Sequence, residues 1–275
     1  MQIFYNQNLA QFTTYKIGGT AKTIFVAQTK SDLVSAHSLY GGYPLGNGSK
    51  LLISDAGFDG NIIVNRAGAF VFDENGVWAE SGVSLPMLVA QSVKRGFTGL
   101  EFACQIPATV GGAVVMNAGA FDKSIGDMVK YIEVLRDGEI VKLTAEQCGF
   151  RYRTSAIKNS GDLVLGARIN LQVGEGKQKI TMAISGRKNQ PSGKSCGSVF
   201  KNGEQKSAML IEKAGLKGLR VGGAIISPQH ANFIINDGGA TASDVYTLIR
   251  TAKARVYADF GVRLQEEVIY LGEFL

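Results

Sequence analysis

The chain has 275 residues, 45% hydrophobic and 19% charged, with 29 lysines and arginines against 23 aspartates and glutamates for a formal net charge of +6. That length allows one large domain or two to three small ones, and no tract of like charge marks a disordered tail. The opening MQIFYNQNLAQFTTYK is polar and about 18 apolar residues never run together, so neither a signal peptide nor a membrane-spanning helix is expected and a soluble cytoplasmic protein is the expectation.

Three cysteines, Cys104, Cys148 and Cys196, lack the C-x-x-C spacing and read as reduced thiols. With only His37 and His230 beside them, the ligand set of a zinc site is missing. The basic residues are dispersed without an aromatic-basic repeat, which argues against a nucleic-acid module; the same surplus suits a small molecule bearing a diphosphate, or a merely basic surface. Glycine, at 35 residues against 5 prolines, is nearly double its usual share. Glycines clustered between apolar runs allow the close backbone approach that a bulky polyanionic cofactor requires.

In chain order, 20–29 reads as a strand and 30–40 as a helix capped by Ser31. An apolar approach, a glycine turn and a strand occupy 43–55. Short β-rich runs fill 60–82 around an Asn75-Gly76 hairpin turn. Residues 84–97 form a helix capped by Ser84, with Pro86 in its first turn and Gly96 at its end. A second hairpin turns at Asp137-Gly138 and a cap follows at Thr144. Residues 163–173 are a strand. Composition shifts at GEGKQK near 174, after which come helices at 177–189 and 205–214, and a strand at 231–237. A long amphipathic helix runs from about Ala242 to Phe260 under Thr241 or Ser243, and a strand at 266–272 follows it. Helices and hairpins are mixed without regular strand-helix alternation, so the fold class is α+β.

Two stretches carry anion chemistry. LGNGSK offers Gly46, Asn47, Gly48, Ser49 and Lys50 as a backbone nest with two side-chain donors, though alone it reads first as a plain turn. It lacks Walker spacing, and no G-x-G-x-x-G opens a helix here. GLEFACQIPATVGGAVVMNAGAF places Ile106, Pro107, Thr109, Gly111, Gly112, Ala113 and Asn117 where main chain must approach something closely. Two such nests about 60 residues apart suit a dinucleotide better than a mononucleotide.

TTYKIGG (13–19), LGNGSK, GLEF…IPATVGGAVVMNAGA, YRTS (152–155), GSVFKN (197–202) and LQEEV (264–268) occur in the order found in the UDP-N-acetylenolpyruvoylglucosamine reductase family, which the chain resembles over nearly its whole length. The first half alone resembles the wider vanillyl-alcohol-oxidase (PCMH) type of FAD enzyme; the last three motifs narrow it. The route beyond Arg153 is similar to the subclass lacking an inserted tyrosine loop. The resemblance implies a two-lobed FAD-binding domain over 1–173 (lobes about 1–55 and 56–173), a substrate-binding domain over 174–262 closing over the flavin, and a strand at 263–275 returning to the first lobe. It implies non-covalent FAD, NADPH as hydride source, a UDP-sugar substrate and a monomer. Flavin N5 then passes hydride to the enolpyruvyl methylene, and a proton reaches the neighbouring carbon from Ser198.

By the same resemblance Arg153 faces the substrate carboxylate, Glu267 assists protonation or polarises the intermediate, and Tyr152 and Asn202 lie near the UDP-sugar. Lys217 is a further candidate there. Arg187 and Lys188 are diphosphate partners on charge alone, and His230 is either a substrate contact or a turn histidine. Glu266 and Glu267 are adjacent, so a strand turns them to opposite faces and only the LQEEV frame selects Glu267. Cys196, two residues before Ser198, has no neighbouring base in sequence and reads as packing. The chain departs from the family pattern at Lys50, where asparagine is usual, at Gln105 and Ala108, where glycine is common, and at Gly203, where proline is usual. The rival reading is a flavin oxidase of an alcohol or hydroxy acid on the same cofactor half. Ser198, Arg153 and Glu267 are expected to converge beside the flavin.

Overall fold

The computed structural model describes residues 1–274 and divides them into two compact units. The first holds 1–3, 24–47 and 61–187; the second holds 4–23, 48–60 and the chain from Lys188 on.

The first unit is built on a five-stranded antiparallel sheet in the order Glu139–Thr144, Val129–Arg136, Leu163–Asn170, Gly76–Glu80, Phe70–Asp73. Its central strand is buried almost throughout, since Leu163–Asn170 has a neighbour on either side. Helices Leu85–Lys94 and Val110–Met116 contribute Leu88, Val110 and Val114 to a core with Val77, Ile132, Val134, Ala167 and Ile169. Helix Lys30–Tyr40 buries Leu33 and Ala36 in a second cluster with Ile63, Leu135 and Leu165.

In the second unit helix Ala242–Phe260 buries Val245, Leu248, Ile249, Ala252 and Val256, the stripe its sequence spacing predicts. Each large aliphatic on that face is worth about 1.5–3 kcal/mol relative to exposure. A Thr241–Asp244 capping box starts the helix, and the Asp55 carboxylate accepts from the amides of Ala242 and Ser243 at 2.7 and 2.9 Å. Gly261 in the left-handed region stops it. Strands Arg220–Val221, Ala224–Ile226 and Ile234–Asn236 form an antiparallel sheet, and Ile269–Leu271 runs parallel to Leu51–Ile53.

Several local expectations shift. Thr29, not Ser31, caps the first helix: it is extended and its hydroxyl accepts from Asp32 N–H at 3.0 Å, while Ser31 already lies in the first turn. The first hairpin turns one residue early, at Glu74-Asn75, because the Asp73 carboxylate accepts from Asn75 N–H at 2.9 Å and Asp73 pairs with Gly76. The second turns at Asp137-Gly138, with Arg136 opposite Glu139. Thr144 caps only a closed turn with Gln147, not a helix. The helix begun at Lys177 stops at Ser185, where Gly186 forms its C-cap. The strand expected at 231–237 is Ile234–Asn236, since Phe233 N–H closes a turn onto the His230 carbonyl. In 266–272 only Ile269–Leu271 joins the parallel ladder.

Candidate functional site

Within the first unit the two glycine-rich stretches touch. Asn47 Nδ2 donates to the Pro107 carbonyl at 3.4 Å, and a β-carbon on Gly46 would lie 2.6 Å from Thr109 Oγ1. Thr109 caps helix Val110–Met116, its hydroxyl accepting from Gly112 N–H at 3.3 Å; Gly111 and Ala113 are buried behind it. Arg66, a residue the sequence reading passed over, donates from Nη1 to the Gly46 carbonyl at 3.0 Å and to its neighbour Asn65 at 2.9 Å. Burial pushes that guanidinium's pKa down. Ile106 is held by its own N–H to the Ala103 carbonyl.

The same helix fixes the YRTS segment. Ser155 Oγ donates to the Val115 carbonyl at 2.8 Å, and Asn117, left-handed at the helix end, donates from Nδ2 to the Arg151 carbonyl at 2.9 Å. Its Oδ1 accepts from Gly126 N–H, so the Asn117 amide is committed at both ends. Arg153 sits between these anchors with φ +56°, a conformation a β-carbon disfavours and the anchors impose. Its Nη2 donates to the Gly119 carbonyl at 2.8 Å and its guanidinium lies over the Tyr152 ring, 5.0 Å from the centroid; Tyr152 is exposed. Arg187 donates to the Gln105 carbonyl at 3.1 Å and covers the Phe121 ring. Burial lowers the Arg187 pKa, and the nearby Arg153 charge lowers it further. Two guanidinium groups thus lie within electrostatic reach of each other, an arrangement that favours an anion.

In the second unit Ser198, Lys50 and Glu267 come together. Glu267 is buried, and its N–H donates to the Val199 carbonyl at 2.8 Å, beside Ser198. Lys50 Nζ lies 2.9 Å from Glu267 Oε2 and donates to the Ser198 carbonyl at 2.7 Å. Glu266 turns away to Lys253 at 2.5 Å, as alternation along an extended segment dictates. Buried Asn232, also unanticipated, holds the same segment: it accepts from Phe200 N–H at 2.9 Å, donates to the Phe200 carbonyl at 2.8 Å, and its carbonyl accepts from Val199 N–H. An asparagine inside the apolar run ANFIIN was the available signal. Cys196 is buried, its thiol 3.4 Å from the hydroxyl of fully buried Tyr15; burial pushes both pKa values up.

The other predicted residues of this unit are each held by contacts of their own. Asn202 Oδ1 accepts from Ser207 N–H at 3.1 Å at the start of helix Ser207–Lys213. Lys217 pairs with Glu212 at 2.7 Å, within electrostatic range of His230. His230 Nδ1 accepts from Asn232 N–H at 3.3 Å, and burial lowers its pKa. The Lys188 carbonyl accepts from Gln229. In the glycine turn, Gly48 has φ +60° and a β-carbon there would meet the Phe12 carbonyl oxygen at 2.5 Å. Ser49 follows it, half-buried. Among the described residues no His, Cys, Asp and Glu cluster could hold a metal ion, and no helix is long and apolar enough to cross a membrane.

Two family models match the chain: an FAD binding domain over 33–144, and the C-terminal domain of UDP-N-acetylenolpyruvoylglucosamine reductase over 189–271. The reductase of that name from Gloeobacter violaceus is 38% identical, covering 98% of this chain and 96% of its own. That from Carboxydothermus hydrogenoformans is 39% identical, covering 98% and 94%. The crystal structure of UDP-N-acetylenolpyruvylglucosamine reductase from Thermus caldophilus superimposes with a TM-score of 0.87 at 35% identity, over 98% of each chain.

Proposed function

The chain belongs to the UDP-N-acetylenolpyruvoylglucosamine reductase family, and from that premise we propose how its residues divide the work. It is a flavin-dependent oxidoreductase using FAD with NADPH, and it reduces UDP-N-acetylglucosamine enolpyruvate to UDP-N-acetylmuramate in peptidoglycan precursor synthesis.

The residues present fit the cofactor. At Gly46 and Gly48 the space a side chain would need is already filled, by Thr109 and by Phe12. The glycine turn at 46–49 therefore offers main-chain N–H groups to a diphosphate, with the Ser49 hydroxyl following them, whereas the first N–H groups of helix Val110–Met116 are already taken by the Val83 and Ser81 carbonyls and the Thr109 hydroxyl. No histidine lies in either stretch, in keeping with non-covalent binding. When bound there, FAD would supply the hydride chemistry that links NADPH to the enolpyruvyl methylene carbon.

The chain's own groups then complete the reduction. Arg153, steadied by the Gly119 carbonyl, meets the substrate carboxylate, where negative charge gathers as hydride arrives; a planar guanidinium holds it at two points. Ser198 Oγ–H gives its proton to the carbon next to the methylene and recovers one from water. A serine is a weak acid, but an enolate-like carbon is a strong base. Glu267 stands beside Ser198 and assists that protonation or polarises the intermediate. Arg187, Lys188, Tyr152, Asn202, Lys217 and His230 hold the UDP-sugar. Its setting is a monomer in the cytoplasm, to be checked by sizing chromatography.

The single observation that carries the assignment of roles is the joining of Ser198 and Glu267 through Lys50. The test is anaerobic: NADPH should bleach the yellow holoenzyme and the enolpyruvyl sugar should restore its colour. Ser198→Ala should leave bleaching near normal and slow recolouring by about 10²–10⁴-fold, as loss of a general acid does. Wild-type recolouring by Ser198→Ala would overturn the role of Ser198; bleaching by a simple alcohol would favour the oxidase.

A further inference from the structure

The loop that supplies the cofactor nest ends in Lys50, whose ammonium is turned to other use. Its main chain is fixed by Ile269 N–H, which donates to the Lys50 carbonyl at 2.8 Å. From there the side chain reaches Glu267 Oε2 at 2.9 Å and the Ser198 carbonyl at 2.7 Å. The Glu267 side chain is only 5% exposed and that of Lys50 25%. A carboxylate so far from water costs several kcal/mol unless a cation and hydrogen bonds compensate it. The amide side chain usual at position 50 in this family carries no charge to give.

We propose that Lys50 is a positioning residue for the reduction: one ammonium cross-links the Glu267 carboxylate to the main chain of Ser198, holding Glu267 as the charged partner and leaving the Ser198 hydroxyl as the acid. This rests on the roles given above to Ser198 and Glu267. The other titratable groups around Glu267 are consistent with that division. Cys196, which feels the charges of both Lys50 and Glu267, is kept a neutral thiol by burial, as Tyr15 behind it and Tyr270 are kept neutral phenols. Glu266 faces Lys253 instead.

The experiment uses FAD-saturated holoenzyme and the variant Lys50→Met, with Lys50→Gln as a second variant should the first not fold. Flavin content and the rate of flavin reduction by NADPH should stay near wild type. The kcat for the enolpyruvyl sugar should fall by about 10²-fold with little change in its KM, the size expected of a misplaced reacting group. The acidic limb of the kcat–pH profile should move to higher pH, since removing a cation from beside a carboxylate makes that carboxylate easier to protonate. A wild-type kcat and unmoved acidic limb would overturn the inference, as would loss of flavin with normal turnover once FAD is restored, which would make Lys50 a cofactor contact. Ser198→Ala and Glu267→Gln are assayed alongside. If they too turn over normally, the site itself is misassigned; if they are impaired while Lys50→Met is normal, only the role of Lys50 fails.

Discussion

Replacing Asn232 by alanine tests whether the Ser198 segment is held as the structure implies. Phe200 is 2% exposed, and both of its main-chain polar groups bond to the Asn232 side chain, at 2.9 and 2.8 Å. Alanine removes both partners at once and leaves a buried N–H and a buried carbonyl unpaired. Each orphan costs about 1–3 kcal/mol. Partial relaxation of the segment offsets some of that, so a loss of about 2–4 kcal/mol is expected. Urea unfolding followed by circular dichroism measures it: the midpoint should drop while the slope against denaturant stays constant. Because Ser198 lies two residues before Phe200, sugar turnover should also fall while flavin reduction by NADPH is spared. A stability loss under about 1 kcal/mol would refute the reasoning, for it would mean water or another group satisfies Phe200.

Other outcomes follow from the same geometry. Glu267→Gln should cut sugar turnover sharply, whereas Glu266→Gln, which loses only a partly exposed pair with Lys253, should change it by less than about twofold; steady-state assay of both variants decides whether the LQEEV register is right. Gly48→Ala places a side chain at φ +60° against the Phe12 carbonyl, so the purified variant should carry less flavin, read from its visible absorption relative to protein. His230, whose pKa burial holds below the ordinary 6.5, binds its proton less readily folded than unfolded. Acidification from neutrality through 6.5 should therefore cost the wild type stability that His230→Gln keeps, and parallel unfolding curves at the two ends of that range check it.

The long helix Ala242–Phe260 was legible in type and approximate bounds, with its cap narrowed to Thr241 or Ser243, because capping chemistry and a 3.6-residue apolar stripe are local signals. The Asp137-Gly138 turn was legible for the same reason, and the α+β class followed from such elements. The site residues were legible only through family motifs, since composition alone left a glycine turn and a serine hydroxyl without a task. Thr29 and Asp73 displaced the expected cap and turn because two candidate side chains competed one or two residues apart, and backbone geometry chose between them.

The amino-acid sequence by itself determined what depends on near neighbours: periodicity, caps, turn chemistry and the order of the motifs. It could not tell that Lys50 meets Glu267 and Ser198, that Asn232 closes on Phe200, or that Arg66 steadies Gly46. Those contacts join residues up to some two hundred positions apart, and they form only when strands pair and cores close around them. A buried carboxylate or amide has no preference for a particular distant partner until desolvation makes every unpaired polar group costly. Tertiary packing imposes that cost, and with it the choice of partner.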